Sequence, residues 1–160
     1  MTNALPSGRL AGIDYGRRRI GVAICDAERL IASPLEVRET SGDRLADGRF
    51  FRELVAREEI AGFVVGLPVH ADGRSSEMST EVEGFARWLG DTTGRPVAFQ
   101  DERYTSREAA GLLRPARLTR GRKKARHDAV AAQVILSSWL ERQAAGLPTA
   151  TPSGKEPLDG

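Results

Sequence analysis

Short apolar runs alternate along this chain with segments whose apolar residues recur every three or four positions. Leu10–Asp14 (LAGID) and Ile20–Asp26 (IGVAICD) have the length and composition of buried strands. The polar turn YGRRR between them is short enough to join them as an antiparallel hairpin. Ile31–Val37 (IASPLEV) predicts a third strand, which Pro34 places at an edge or a bulge. Leu45, Phe51, Leu54 and Val55 recur at helical spacing and predict a helix of about three turns. Gly62–Leu67 (GFVVGL) reads as a buried strand stopped by Pro68, with VHADGRSS as the loop after it. A second helix near Ser76–Leu89 carries Met78, Val82, Phe85 and Leu89 on one stripe, and Pro96–Gln100 is a fifth strand. Thr105 with Glu108 three residues later has the form of a capping box opening a helix with Leu112 and Leu113. The basic stretch that follows, with Pro115 and Gly121, reads as a loop. A last helix covers about Asp128–Arg142, with Val130, Val134, Leu136 and Leu140 among its apolar residues.

The order β β β α β α β α α sets two antiparallel connections before strands separated by helices. That order predicts an α/β fold, a mixed sheet with helices packed on its faces. The expected organisation is a flexible N-terminus over 1–9, one domain over 10–143 and a disordered tail over 144–160. The last seventeen residues contain three Pro and three Gly.

Composition changes little in this picture. The chain has 160 residues, 40% apolar and 29% charged, as expected of one soluble globular domain. No apolar run approaches the roughly 18 residues that span a bilayer, so no membrane partner is expected. The first residues lack the basic-then-apolar layout of a signal peptide, and the expected address is the cytoplasm. The single cysteine, Cys25, excludes an intrachain disulfide framework and a multi-Cys zinc site. Two histidines, His70 and His127, leave little for a His-based site, so a metal here would be a hard ion on carboxylates. Cys25, in a buried strand, reads as a small hydrophobe. Trp88, Trp139 and Phe51 fall on helices and read as packing residues. With 6% aromatic residues and none in the basic stretch, stacking is not the expected mode of single-strand binding.

Charge changes it more. The formal net charge is only +2, yet Arg114–Arg126 (RPARLTRGRKKAR) holds seven basic residues in thirteen and no acid. The rest of the chain therefore carries −5. Of 24 basic residues, 21 are Arg, an excess that suits bidentate phosphate contacts and that a coding bias would also produce.

Three acidic positions fall at the ends of elements. Asp14 closes the first strand inside an apolar run, where a carboxylate needs a partner, a metal or an opening. Gly12 and Gly16 flank it and would let a ligand approach the backbone; a plain turn-forming Asp is the competing reading. Asp101 and Glu102 close the fifth strand, and alternation sends their side chains to opposite faces. A solvated strand end paired with Arg103 or Arg107 is the competing reading there. Asp128 opens the last helix, where Asp is a favoured cap, but it directly follows the basic stretch. Three such carboxylates would suit one or two Mg²⁺ or Mn²⁺ ions, and the adjoining cations would hold phosphate without reading bases.

Together GIDYGRRRIGVAICD, FVVGLPVHADG, FQDERYTSREA and KKARHDAVAAQVIL resemble the YqgF (RuvX) family. This is a group of ribonuclease H-like proteins described as pre-16S ribosomal RNA nucleases and Holliday-junction-resolvase homologues. The resemblance runs from about Leu10 to Leu140, and DERYTS together with HDAVAAQVIL makes it specific. It implies a ribonuclease H-like fold with a five-stranded mixed sheet. It also implies a metal site of Asp14, the pair Asp101–Glu102 and Asp128, with Glu102 favoured over Asp101. Arg103, Lys123 and Lys124 look like phosphate contacts, joined in the basic stretch by Arg120, Arg122 and Arg126. Related junction resolvases carry an acid near the end of the fourth strand, where this chain has Gly66-Leu67-Pro68. That departure favours RNA processing over four-way junction cleavage. His127 stands where relatives often have an aliphatic residue, and no role is assigned to it.

The expected function is thus a metal-dependent nuclease trimming the 5′ end of pre-16S rRNA, acting on RNA or ribosomal precursor particles, as a monomer or homodimer. A Holliday-junction (branched DNA) resolvase and a non-catalytic nucleic-acid-binding module of the same fold are the alternatives. A pure binder has no need of like charges beside a phosphate-binding segment. An actin-like phosphotransferase is disfavoured because those folds need two such domains.

Overall fold

The computed structural model describes residues 5–68, 76–102 and 120–146, with only the backbone described over 120–128. The loop with His70, the Thr105 capping box with its helix, Arg103 and the residues after 146 lie outside the described residues. Among the described residues five strands and three helices occur in the expected order: β1 (Arg9–Tyr15), β2 (Arg19–Cys25), β3 (Ala32–Glu39), α1 (Arg44–Glu58), β4 (Ile60–Leu67), α2 (Glu77–Thr93), β5 (Val97–Asp101) and α3 (Arg120–Ala144). The sheet order is β3-β2-β1-β4-β5. β1–β2 and β2–β3 are antiparallel, while β1–β4 and β4–β5 are parallel. Pro34 sits on the edge strand β3, beside a shift in register with β2.

Alternation along the strands sorts the core into two layers. Ala11, Ile13, Val22, Phe63, Val65, Leu67, Val97 and Phe99 face α1 and α2. Leu10, Ala23, Cys25, Val64 and Ala98 face α3, against Ala132, Ile135, Leu136 and Trp139. Phe51 centres the first layer, its ring edge-on to Phe63, Phe85 and Trp88 at 6.0–6.5 Å between centroids, an arrangement that adds to simple area burial. Ahead of β1, Leu5 packs against the second layer, and the Arg29 guanidinium donates to the carbonyls of Pro6 and Gly8.

Two expectations about the helices are corrected. Leu45 is 74% exposed and is not part of the buried stripe of α1. It precedes Phe51 by six residues, about 240° around a helix, so it lies away from the face that Phe51, Leu54 and Val55 share. The basic stretch is not a loop throughout: α3 begins at Arg120 and runs 25 residues. Arg, Lys and Ala are strong helix formers, and their summed preference outweighs the single Gly121.

The α3 layer is thin where small residues line the sheet. A Cβ on Gly12 would stand 2.7 Å from Leu136 Cβ and 2.8 Å from the Ala132 carbonyl oxygen. A Cβ on Gly66 would stand 2.5 Å from Ile135 Cδ1. The helix is thus seated directly on the backbone of β1 and β4. Gly12→Ala should cost about 1–3 kcal/mol, as overpacking does where a helix backbone must shift. Urea denaturation of the variant measures this, and a loss under about 0.5 kcal/mol, the scatter of neutral surface changes, would show that α3 is not held that closely.

Candidate functional site

The pleat decides which carboxylates can meet. Asp14 lies two residues after Gly12, so it shares the α3 face of β1. It pairs with Gly21 across β2, and one step past the Ile13–Val65 pair it is level with Gly66 of β4. Gly66 in turn pairs with Gln100 of β5. Glu102 follows Gln100 by two residues, and its Oε1 would be 3.2 Å from a Cβ placed on Gly66, beside Ile135. Asp14 and Glu102 therefore approach the same row of the sheet from β1 and β5, with Gly66 as the bare floor between them.

Asp101 belongs to the other face. It pairs with Leu67 and is 6% exposed, on the side where Phe99 and Val97 join the α1/α2 core. Alternation separates the two acids, and the structure places Glu102 on the face of Asp14.

Glu102 is exposed as a residue, yet its carboxyl tip lies over the Gly66 position, 3.2 Å from where a Cβ there would stand. Burial of that tip, and next the neighbouring Asp101 carboxylate, push its pKa above the ordinary carboxylate range. An anionic tip held there destabilises the folded chain and would be relieved by a cation.

Asp128 lies inside α3, about two turns beyond Arg120 and one turn before Ala132, whose carbonyl touches the Gly12 position. The expectation that it opens the last helix is corrected: α3 already runs from Arg120, so Asp128 lies in the helix interior and not at its N-cap. Arg120, Arg122, Lys123, Lys124 and Arg126 share those first turns of α3. The side chains from Arg120 to Asp128 are outside the described residues. Among the described residues no group of three His, Cys, Asp or Glu side chains converges as a metal site; Asp14 and Glu102 supply two carboxylates toward one.

The glycines flanking Asp14 have structural reasons of their own. Gly12 admits α3, and a Cβ on Gly16 would stand 2.7 Å from the Arg19 carbonyl oxygen within the hairpin turn. Sequence reasoning named Gly66 only as part of a departure from related resolvases and missed its part in admitting Ile135. Its signal was a side-chain-free residue inside the otherwise bulky run FVVGL. Any side chain at position 66 would have to displace the tip of Ile135.

Comparison with known proteins adds the following. The model of the family described as "RuvX: Holliday junction resolvase" matches residues 8–142. A relative from Rhodopirellula baltica named "Putative pre-16S rRNA nuclease" is 50% identical over 135 residues, 84% of this chain and 78% of the relative. One of the same name from Rhodobacter capsulatus is 42% identical over 144 residues, 88% of this chain and 89% of the relative. Among solved structures, T. thermophilus RuvC in complex with a Holliday junction substrate aligns with a TM-score of 0.58 at 19% identity, covering 89% of this chain and 99% of that one. The yeast mitochondrial Holliday junction resolvase Ydc2 aligns with a TM-score of 0.51 at 12% identity, covering 88% of this chain and 80% of that one. These two likenesses establish the fold, the ribonuclease H-like mixed sheet.

The Glu102 geometry has a consequence for stability. Its folded-state pKa is raised, so stability falls as pH rises from the unfolded value through the folded one. Glu102→Gln should therefore stabilise the metal-free protein at neutral pH. That gain should vanish at acid pH, where the wild-type carboxyl is protonated in both states. Thermal melts of both proteins in chelator across that range measure it, and a variant less stable than wild type at neutral pH would contradict the assignment.

Proposed function

The chain belongs to the RuvX family, and on that premise we propose that it is a metal-dependent nuclease that trims the 5′ end of pre-16S rRNA in the cytoplasm. The observation that carries this reading is the placement of Asp14 and Glu102 on one face of the sheet, beside the helix that begins with the basic stretch. Two carboxylates on one face at the same end of the sheet offer oxygen donors of the kind a hard divalent cation takes.

The donors are all carboxylate oxygens, which fits Mg²⁺ or Mn²⁺ and not a soft metal. Asp14, Glu102 and Asp128 are the residues proposed to hold one or two such ions. When bound, these ions supply Lewis-acid stabilisation at a phosphodiester and lower the pKa of an attacking water. The protein's own part is to fix the donors on rigid elements. Asp14 is held by pairing to β2, Glu102 by the end of β5, and Asp128 by the interior of α3. Arg120, Arg122, Lys123, Lys124 and Arg126 supply phosphate affinity independent of sequence, with Arg103 next to Glu102. The partner is RNA, free or within ribosomal precursor particles, and the active unit is a monomer or homodimer.

Cleavage of branched DNA is the second reading, and the shared fold with junction resolvases favours it. The absence of an acid at Gly66-Leu67-Pro68 weighs against it.

Incubating the protein with Mn²⁺ or Mg²⁺ on a labelled precursor leader and on a four-way junction separates these readings. The leader should be cut in preference to the junction. Asp14→Asn and Asp128→Asn should each slow cutting by roughly a hundredfold or more, the scale of losing one preorganised charge-stabilising group. Variants that cut like wild type would remove these carboxylates from the site. Binding of both substrates without cutting would establish the binding-module alternative.

Lys123→Ala combined with Lys124→Ala should weaken binding across sequences. It should flatten the slope of log K against log salt by roughly 1.4–1.8 if each lysine neutralises one phosphate. An unchanged slope would remove that turn of α3 from the contact surface.

A further inference from the structure

On the α1/α2 side of the sheet, beside the β1–β2 turn, a cavity of about 190 Å³ opens next to Tyr15. Its aromatic wall is Tyr15, Phe85 and Trp88, with ring centroids 4.7 Å apart for the first pair and 5.7 Å for the second. Arg17 and Arg44 line it as well, and the Arg44 guanidinium lies 4.9 Å from the centre of the Trp88 ring. Trp88 thus presents one side to Phe51 and Phe85 in the core and another to an exposed arginine. The sequence pattern had suggested packing alone.

The polar groups around the cavity are arranged and not merely solvated. The Tyr15 hydroxyl donates to Glu81 at 2.8 Å, and Arg17 Nε donates to the same carboxylate at 3.0 Å. Asp47, buried at the cavity's side, accepts from Arg38 and Ser41, and all four of those bonds fall on Oδ1. Asp47 is among the residues that line the cavity.

We propose that this cavity is a subsite for one unpaired nucleotide of the substrate strand, its base entering beside Tyr15 and taking the place of the Arg44 guanidinium on Trp88, with Arg17 and the displaced Arg44 on its phosphate. Aromatic faces with cations at the rim take any base by stacking while the guanidiniums hold the backbone. The location supports a strand that also reaches the carboxylates. Tyr15 directly follows Asp14 in β1 and points to the opposite face, so the two sites are separated by the thickness of one strand at the same end of the sheet. A chain crossing the β1–β2 turn would present a neighbouring nucleotide to the cavity. The inference deepens the nuclease reading and rests on it for the identity of the ligand.

The test is tryptophan fluorescence in chelator, so that binding is read without cutting. Trp139, the other tryptophan, is 1% exposed and serves as an internal constant. Single-stranded RNA or DNA should quench Trp88. A blunt duplex of the same sequence and a free mononucleotide should not do so at equal concentration. Trp88→Ala should weaken single-strand binding about five- to hundredfold, the range one stacked base contributes. Because Trp88 also packs on the core, Arg44→Gln at the exposed rim is the second variant, expected to weaken binding several-fold and reduce the quench.

Wild-type affinity in both variants, or equal quenching by the blunt duplex, would overturn the subsite. Mononucleotide quenching at the affinity of the strand would overturn its assignment to the substrate strand. If wild type quenches with single strands but never cuts with Mg²⁺ or Mn²⁺, the nuclease reading fails and the subsite stands. If wild type cuts while both variants bind unchanged, the subsite fails and the nuclease reading stands. Failure to bind any of these nucleic acids overturns both.

Discussion

The close seating of α3 on β1 and β4 is the contact on which the rest of the site depends. Two positions without side chains, Gly12 and Gly66, make it possible, and Leu136, the Ala132 carbonyl and Ile135 occupy the space. With a side chain at Gly12 the helix would have to rise from the sheet, while one at Gly66 would displace the Ile135 side chain. Asp128, one turn before Ala132, would rise with the helix and away from the row that Asp14 and Glu102 approach. Packing in the core and placement of a functional carboxylate are one problem here, because the helix that seals the second hydrophobic layer also carries the third acid.

The same contact explains the electrostatics. Glu102 lies with its tip over Gly66 and with Asp101 next to it, so its ionised form is held at a cost. Sites that bind cations characteristically trade stability for such prearranged charge. The near-zero formal charge of the chain conceals a division of labour. Cations gather at the start of α3, and the acids that offset them in the sum include the carboxylates proposed to hold metal. The basic stretch being helical from Arg120 also matters, since a helix fixes the spacing of its cations where a loop would leave each free.

Much of this was legible in the sequence because it rests on local pattern. The five strands are short apolar runs bounded by Gly, Pro or polar turns, and their connections set the mixed topology. The separation of Asp101 from Glu102 follows from the pleat alone. What was not legible depended on contacts between distant segments. Gly12 reads as an opening for a ligand until Leu136 is seen above it. Leu45 has an apolar side chain but the wrong angular position. The start of α3 was hidden by Pro115 and Gly121, which resemble loop residues although strong helix formers follow. Trp88 read as core because its position on an amphipathic helix says nothing of the arginine laid over its outer side.

The central claim is that Asp14, Glu102 and Asp128 form one cation site on the α3 face. Backbone amide NMR during a titration with substoichiometric Mn²⁺ tests it most directly, since the paramagnetic ion broadens nearby resonances first. The account predicts that Asp14, Gly66, Glu102 and the α3 residues around Asp128 broaden together, ahead of the rest of the chain. Broadening that begins elsewhere, or that reaches Asp14 and Glu102 while leaving the Asp128 turn of α3 sharp, would contradict it.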